Sequence, residues 1–372
     1  MDRPLRIFHI NSERGWRGGE QQTIYLMQGL RERGHENFLI APPNSAILER
    51  SSASLCTGLP LPMRNEWDLL SAIRLARWIR SHRPDVLHAH TARAHTIAWT
   101  ARFLARANVP LVVSRRMDYP IHTHRLGHLK YSQADAYIAV SQLIAGILRD
   151  AGIPNRRIRM IHDGVDSERP RRSDAEAIRQ EFGIEPSTLV IGTVGVCEDR
   201  KSQRTLIEAL PPLLQIHPKV HAFILGDGPL RPSLTDLAEQ LGIIRNVHFP
   251  GFRNDVDNFL KLFDIFVLSP KMEGLGSSIL EAQCFALPVV ATSVGGIPEI
   301  VQDGINGILI PPGDSQALAQ ALRRLIEDSS LRAAYGHSGF TRVMQHFTLD
   351  RMSQNTLEVY RDVLRSDLLT RL

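Results

Sequence analysis

Short apolar runs alternate with segments of helical periodicity along the whole chain. Residues 5–10, 189–194 and 264–268 have the length and composition of buried strands, whereas 203–214 repeats apolar residues at helical spacing. Strands that are each followed by a helix are joined by crossovers, so neighbouring strands are parallel. A chain of 372 residues is long for one core and sufficient for two. We therefore predict an α/β fold of two doubly wound parallel-sheet, Rossmann-like domains facing across a cleft, with ligands beyond the carboxyl ends of the strands.

The composition is that of a soluble globular protein, with 43% hydrophobic and 22% charged residues. Cys56, Cys197 and Cys284 have neither metal-site spacing nor a disulfide framework, which favours a reducing, cytoplasmic setting. Because the first strand begins at residue 5, we expect no signal peptide. It contains no run of about 18 apolar residues, so we expect no membrane-spanning segment.

Charge is distributed unevenly between the two halves of the chain. Residues 1–170 carry 24 basic and 15 acidic side chains and 10 of the 15 histidines, whereas the remainder carries 20 and 24. A basic first half indicates an anionic partner: a membrane surface, a phosphorylated glycolipid or nucleic acid. The alternative is a general preference for arginine, which supplies 39 of the 44 basic residues. Residues 69–81 form a basic amphipathic helix that either lies on a membrane or packs at a sheet edge.

Two carboxylates flank a glycine loop just after the strand at 264–268. Glu273 precedes Gly274 and Gly276, and Glu281 falls in the helix that follows. Amides of a glycine loop and of a helix N-terminus attract phosphate, whereas carboxylates suit sugar hydroxyls. Together these groups favour a nucleotide sugar. Alternatively, Ser278 and Glu281 form a capping box and only cap the helix.

The run around this loop resembles the E-x7-E signature of retaining GT-B glycosyltransferases of family 4 (glycosyl transferases group 1), including the lipopolysaccharide-core type. The similarity extends over residues 273–282, 287–292 and 295–299. It implies the GT-B fold, in which Glu273 contacts the donor sugar and Glu281 the nucleotide ribose. Gly274, Leu275 and Gly276 would surround the donor phosphates.

The first βα turn also carries glycines. Gly18, Gly19 and Glu20 follow the strand at 5–10, but the spacing is not G-x-G-x-x-G, which counts against a dinucleotide cofactor. The turn resembles the family's glycine-rich loop, which implies that Gly18 and Gly19 face the donor and Glu20 the acceptor. The alternative is a turn that needs glycine for positive φ.

Two histidines end the strand at 85–90. His88 and His90 share one face because side chains alternate along a strand. Nothing nearby in sequence completes a metal site. The family's corresponding strand lines the cleft, which implies that His90 lies near the substrate with a catalytic role, whereas His88 fits a core histidine equally well.

Arginines occupy the end of the strand at 111–118. Arg115 and Arg116 stand where many family members carry a donor-contacting histidine, and two arginines suit an acceptor phosphate or carboxylate. Asp118 matches an acidic position of some relatives. We assign all three residues to the acceptor.

The second half supplies the remaining donor residues. Lys201 matches the family's phosphate-binding lysine, whereas Val196 stands at its arginine position and Arg200 is the candidate replacement. Further donor contacts implied by the resemblance are Gly226, Phe252 and Arg253, the last two near the nucleobase.

The predicted domain order is an acceptor-side domain at 1–166, a linker and entry helix at 167–188, a donor-binding domain at 189–347, and a terminal helix at 348–372 that returns to the first domain. The turn 159–166 resembles the family's N-G-V-D turn, with Asp163 in place of asparagine.

We expect transfer of a sugar from a nucleoside diphosphate to a hydroxyl of a phosphorylated or lipid-linked glycan acceptor, with retention. Lys201, Arg200 and loop amides would stabilise the leaving diphosphate, so no metal and no cofactor is required; the chain has no D-x-D motif. Expected partners are the nucleotide sugar, the glycan or glycolipid, and an anionic membrane at the inner face, but not nucleic acid. Alternatives are a nucleotide-sugar epimerase, a non-catalytic nucleotide or glycan binder, and an NAD-linked oxidoreductase.

Overall fold

The computed structural model describes residues 3–121 and 125–369, with backbone alone at 125–128 and 367–369. The chain divides into two compact units. Unit 1 comprises Met1–Gly164 and Leu349–Leu372, and unit 2 comprises Val165–Thr348.

Unit 1 is built on a parallel sheet. Its elements are β1 (Arg6–Ile10), α1 (Gly18–Glu32), β2 (Glu36–Ala41), α2 (Ala46–Arg50), β3 (Thr57–Pro60), α3 (Leu69–His82), β4 (Val86–Ala89), α4 (Ala92–Ala105), β5 (Leu111–Arg115), α5 (Arg125–Ser132), β6 (Ala136–Ala139), α6 (Gln142–Asp150), β7 (Ile158–Met160) and α15 (Leu349–Leu369), the last numbered by its place in the chain. The seven strands lie in the order β3-β2-β1-β4-β5-β6-β7, and every pair is parallel. The order reverses between β1 and β4, the position at which such sheets bind ligands.

Unit 2 repeats the plan with six strands. Its elements are α7 (Glu176–Phe182), β8 (Val190–Val194), α8 (Gln203–Ile216), β9 (His221–Leu225), α9 (Arg231–Gln240), β10 (Val247–Gly251), α10 (Val256–Leu262), β11 (Ile265–Leu268), α11 (Ser277–Cys284), β12 (Val289–Thr292), α12 (Ile297–Ile300), β13 (Gly307–Ile310), α13 (Ser315–Glu327) and α14 (Ser329–His346). The parallel order is β10-β9-β8-β11-β12-β13, which reverses between β8 and β11. The predicted pair of doubly wound sheets is confirmed.

The central strands are buried along their whole length. All residues of β4, β6, β11 and β12 are buried, as expected for strands covered by helices on both faces. In unit 1, α15 contributes Met352, Tyr360 and Val363 to the core that also holds Leu5 and Ile7. The C-terminal helix is therefore a structural part of the first sheet's core.

The basic helix α3 packs on a neighbouring helix. Its buried stripe includes Leu75, Ala76 and Ile79, and it lies against α4. Leu70, in the first turn of this helix, lies outside the buried stripe and is 74% exposed. Within the described residues, no helix combines the length and apolarity needed to cross a bilayer. The three cysteines are buried free thiols.

The contact between α1 and α15 depends on a glycine. A Cβ at Gly29 would overlap Ser353 Oγ and come within 2.9 Å of Leu349 Cδ2. We expect Gly29→Ala to lower the free energy of unfolding by about 1–3 kcal/mol, because the extra methyl overpacks this contact. The measurement is denaturant unfolding of the full chain.

A matched control is Gly146→Ala within α6, where a Cβ would meet only one side-chain nitrogen at 3.8 Å. Since alanine favours the helix over glycine, this control is expected to be neutral or stabilising. Equal effects of the two substitutions would contradict the proposed close packing.

Candidate active site

The carboxyl ends of β8 and β11 bring two predicted residues of unit 2 together. Lys201 follows β8 and Glu273 follows β11, and the Lys201 ammonium group forms an ion pair with Glu273 Oε2. Their side chains are 14% and 11% exposed, so solvent screens the pair only partly. The two loops are also joined by a hydrogen bond from the Lys271 amide to the Arg200 carbonyl, at 2.8 Å. This pair is the centre of the candidate site.

The glycine loop is held by backbone packing. Gly276 caps α11 with a φ of 93°, and Gly295, with a φ of 59°, lies so close that a Cβ there would overlap the Glu273 carbonyl oxygen. Glycine suits both positions because it adopts positive φ without steric cost. Gly274 and Leu275 are buried in the same loop. The backbone beside Glu273 is therefore fixed by the neighbouring segment.

Glu281 does not cap α11. The helix begins after Gly276, and the Glu281 carboxylate instead pairs with Arg169 at 3.0 Å. The capping-box alternative was therefore wrong. Arg169 also binds Asp257, with its Nε 3.0 and 3.1 Å from the two carboxylate oxygens. No sequence pattern indicates Arg169, which falls in the predicted linker.

The other cations predicted in unit 2 also have carboxylate partners. Arg200 Nε lies 2.6 Å from Glu198 Oε1. Arg253 binds Asp255 and, through two nitrogens, Glu181, and these hydrogen bonds raise the pKa of its guanidinium. These partners offset the charge that each arginine would otherwise present to a ligand.

Gly226 and Phe252 complete the residues predicted to bind the donor in unit 2. Gly226 has a φ of 130°, and a Cβ there would overlap the Gly195 carbonyl oxygen, so this turn requires glycine. Phe252 follows β10 and is 51% exposed.

In unit 1, Glu20 lies in the first turn of α1. Its carboxylate accepts hydrogen bonds from Asn11 Nδ2 at 3.1 Å and from the Arg17 amide at 3.0 Å. Burial raises the pKa of this carboxyl. Gly18 and Gly19 are the first residues of the helix and neither has a positive φ, so the alternative reason for these glycines was wrong. Glu20 thus has a local role in helix capping that its position three residues after Arg17 could have indicated.

Three histidines cluster at the ends of β1 and β4. His9 pairs with His88 in the strand register, and His90 lies just beyond β4 with its Nε2 3.1 Å from His9 Nδ1. Burial lowers the pKa of His9 to about 4 and the pKa values of the other two well below the usual value. All three imidazoles are therefore neutral at pH 7. Sequence reasoning missed His9 because only strand pairing brings it beside His88.

Hydrogen bonds fix the proton positions in this cluster. Asn37 Nδ2 donates to the Met27 carbonyl at 2.8 Å, so its Oδ1 must accept from His9 Nε2, at 3.2 Å. The neutral His9 then accepts through Nδ1 from His90 Nε2. This leaves His90 Nδ1 as an unprotonated acceptor, and it has no hydrogen-bond partner among the described residues.

The cluster also satisfies the distance expected of metal ligands, since one nitrogen of each histidine lies within 4.8 Å of the others. Five of the six nitrogens already form hydrogen bonds, including His88 to Tyr360 Oη at 2.6 Å and to Ser114 Oγ at 2.8 Å. An ion would have to displace some of these bonds. The geometry therefore fits a hydrogen-bonded cluster of imidazoles better than a metal centre.

The two arginines after β5 have different surroundings. Arg116 Nε pairs with the buried Asp163 at 3.1 Å. Arg115 donates hydrogen bonds to the Tyr119 carbonyl and, at 3.5 Å, to Tyr131 Oη, and it forms no ion pair with a carboxylate among the described residues of unit 1. The Asp118 side chain is buried just after this strand. Of the pair, Arg115 is the better candidate for binding an anion.

The two parallel sheets form the fold of the GT-B class of glycosyltransferases, and comparison with known proteins identifies the family. Residues 16–169 match the sequence model described as Glycosyltransferase Family 4, and residues 174–342 match that of Glycosyl transferases group 1. The chain belongs to the group 1 glycosyltransferases.

Similar proteins span nearly the whole chain. The lipopolysaccharide core biosynthesis glycosyltransferase LpsE of Rhizobium meliloti is 29% identical over 95% of this chain and 97% of that protein. The N-acetyl-alpha-D-glucosaminyl L-malate synthase of Bacillus anthracis is 26% identical over 81% of each. Anabaena HepE, solved with UDP-glucose, has a TM-score of 0.84 and 24% identity over 96% of this chain and 100% of that chain. WaaG, solved as a glycosyltransferase of lipopolysaccharide biosynthesis, has a TM-score of 0.70 and 18% identity over 94% and 98%.

The buried histidines predict acid sensitivity. Burial lowers the pKa values of His9, His88, His90 and His95 in the folded protein, whereas unfolded histidines titrate near 6.5. The contribution of these histidines to the free energy of unfolding is therefore fully present above about pH 6.5. It is lost as the pH falls towards 4, by up to about 1.4 kcal/mol per pH unit for each histidine. The measurement is the free energy of unfolding between pH 7 and pH 5.

The matched variants are His95→Leu and His337→Gln, at a buried and an exposed histidine respectively. The first should reduce the slope of the free energy of unfolding against pH by the equivalent of about one proton. The second should leave that slope unchanged. Identical slopes in wild type and His95→Leu would contradict the assignment.

Proposed function

We propose that this enzyme transfers a sugar from a nucleoside diphosphate sugar to a hydroxyl of a glycan acceptor and retains the anomeric configuration. The observation that carries the proposal is the ion pair of Lys201 and Glu273 beside the first turn of α11. It combines a cation and a helix N-terminus, which suit a diphosphate, with a carboxylate that suits sugar hydroxyls.

The bond between the sugar's anomeric carbon and the diphosphate oxygen breaks as the acceptor oxygen bonds to that carbon. Negative charge grows on the departing diphosphate, and Lys201 with the amides near Gly274 and Gly276 stabilises it. We propose that the acceptor's proton passes to that diphosphate, so that the site needs neither a carboxylate nucleophile nor a metal. Glu273 then orients the donor sugar, with Lys201 paired to its carboxylate.

We propose an acceptor that carries phosphate or lipid, as in lipopolysaccharide or another cell-envelope glycan. Support comes from the net charge of +9 in residues 1–170, from Arg115, and from the names of LpsE and WaaG. Trp67, just before the basic helix α3, and Leu69 and Leu70, in its first turn, are exposed, a composition that favours peripheral contact with an anionic membrane surface. The enzyme would then act at the inner face of the cytoplasmic membrane.

The first test removes the donor-side carboxylate. A thermal-shift screen of UDP-, GDP- and ADP-linked sugars identifies the donor, because a ligand bound to the folded state raises the melting temperature. With that donor, Glu273→Gln and Glu273→Ala should lower the transfer rate at least ~10²-fold, on the scale of one preorganised electrostatic group. The anomeric configuration of the product, read by NMR, tests retention.

The control is Asp199→Ala, whose side chain is 80% exposed in the neighbouring loop and pairs with Lys271. It should transfer at nearly the wild-type rate. A folded Glu273 variant with wild-type activity would remove this residue from the site. Release of an altered nucleotide sugar without acceptor would indicate an epimerase instead.

The second test concerns the acceptor. Arg115→Ala should raise the KM for a phosphorylated acceptor about 10- to 100-fold and leave the KM for donor unchanged, because one charge-assisted hydrogen bond is lost. Steady-state kinetics with each substrate varied in turn measures the effect.

Arg149→Ala, at an exposed arginine of α6, is the matched control and should leave both constants unchanged. If Arg115→Ala raises the KM for donor and leaves the KM for acceptor unchanged, Arg115 belongs to the donor site instead.

A further inference from the structure

Arg169 joins two helices of unit 2. Its Nη1 lies 3.0 Å from Glu281 Oε1 of α11, and its Nε lies 3.0 and 3.1 Å from the carboxylate oxygens of Asp257, in the first turn of α10. The side chains of Arg169 and Glu281 are only 12% and 16% exposed. One guanidinium group thus holds two carboxylates where they are largely shielded from solvent.

A second contact fixes the segment that carries Arg169. The Cys284 thiol lies 3.6 Å from the Asp166 carbonyl, one turn beyond Glu281 on α11. Burial raises the pKa of this thiol to about 12, so it stays neutral and can donate. The backbone just before Arg169 is therefore tied to the helix that carries Glu281.

The Arg169 guanidinium uses only part of the hydrogen-bond acceptor capacity of the Glu281 carboxylate. Arg169 contacts Oε1, whereas each carboxylate oxygen can accept about two hydrogen bonds. A carboxylate only accepts, so its complement is a hydroxyl and not a phosphate oxygen. Two adjacent hydroxyls on a ring, as in a ribose, can both donate to one carboxylate.

We infer that Arg169 is a positioning residue that holds Glu281 so that its remaining lone pairs receive the ribose hydroxyls of the donor nucleotide. The inference rests on the proposed function and adds a residue from outside the glycine loop. Lysine cannot replace Arg169, because an ammonium group lacks the planar fork that binds Asp257 and Glu281 along separate edges.

The experiment compares UDP with 2′,3′-dideoxy-UDP, using GDP and ADP pairs in the same way if the donor screen selects those bases. Isothermal titration measures Kd for wild type, Arg169→Lys and Arg169→Ala. Wild type should prefer the ribonucleotide about 10- to 100-fold, the scale of hydrogen bonds to a charged group. Both variants should reduce that preference to about twofold, mainly through weaker binding of the ribonucleotide.

The control is Arg171→Ala, in the same segment, where the side chain is 79% exposed and pairs with Glu168. It should keep the full wild-type preference. Glu281→Gln should lose the preference as the Arg169 variants do, and the double variant Glu281→Gln with Arg169→Lys should lose no more. The single variant Glu281→Gln also tests the inference if Arg169→Ala and Arg169→Lys do not fold.

The outcomes separate the two proposals. A wild-type preference that persists in folded Arg169→Lys, or in Glu281→Gln, overturns the inference and leaves Arg169 as a tether between α10 and α11. Equal binding of both forms to wild type also overturns it, while the proposed function survives. Binding of no nucleoside diphosphate by wild type would instead reject the proposed function.

Discussion

Parallel strand pairing is the constraint on which this structure depends. Because neighbouring strands run in one direction, the loops that follow them meet at one edge of the sheet. The loops after β8 and β11 carry Lys201 and Glu273, and this arrangement makes them an ion pair although they are 72 residues apart. The same rule in unit 1 brings His9 beside His88 and His90. The two chemical centres are thus consequences of sheet topology.

Pairing of charges then decides which side chains can act on a ligand. Arg116, Arg200 and Arg253 each have a carboxylate neighbour, as a partly buried cation requires to offset its desolvation. Lys201 also has one, but its partner Glu273 belongs to the same proposed site. The sequence presents many basic residues around the loops, whereas the structure assigns most of their charge to internal partners.

Local signals predicted much of this protein. The predicted helix at 203–214 agrees with α8 within two residues, and the predicted strand at 189–194 agrees with β8 within one, because periodicity depends on residues close together in the chain. Predicted strand ends differ from the observed ends by one to three residues, as at β4, which stops before His90, and at β5, which ends at Arg115. The capping alternative for Glu281 failed for a different reason: a distant arginine competes for that carboxylate.

The sequence by itself determined the fold class, the positions of the glycine loops and the family, because these depend on periodicity and on residues within one short segment. Only the tertiary structure decided the partners: Arg169 for Glu281, Asp163 for Arg116, Asn37 for His9, and His9 for His90. The physical reason is that an ion pair or hydrogen bond requires atoms about 3 Å apart. Strand register and helix packing set such distances between residues far apart in the chain, and no local pattern records them.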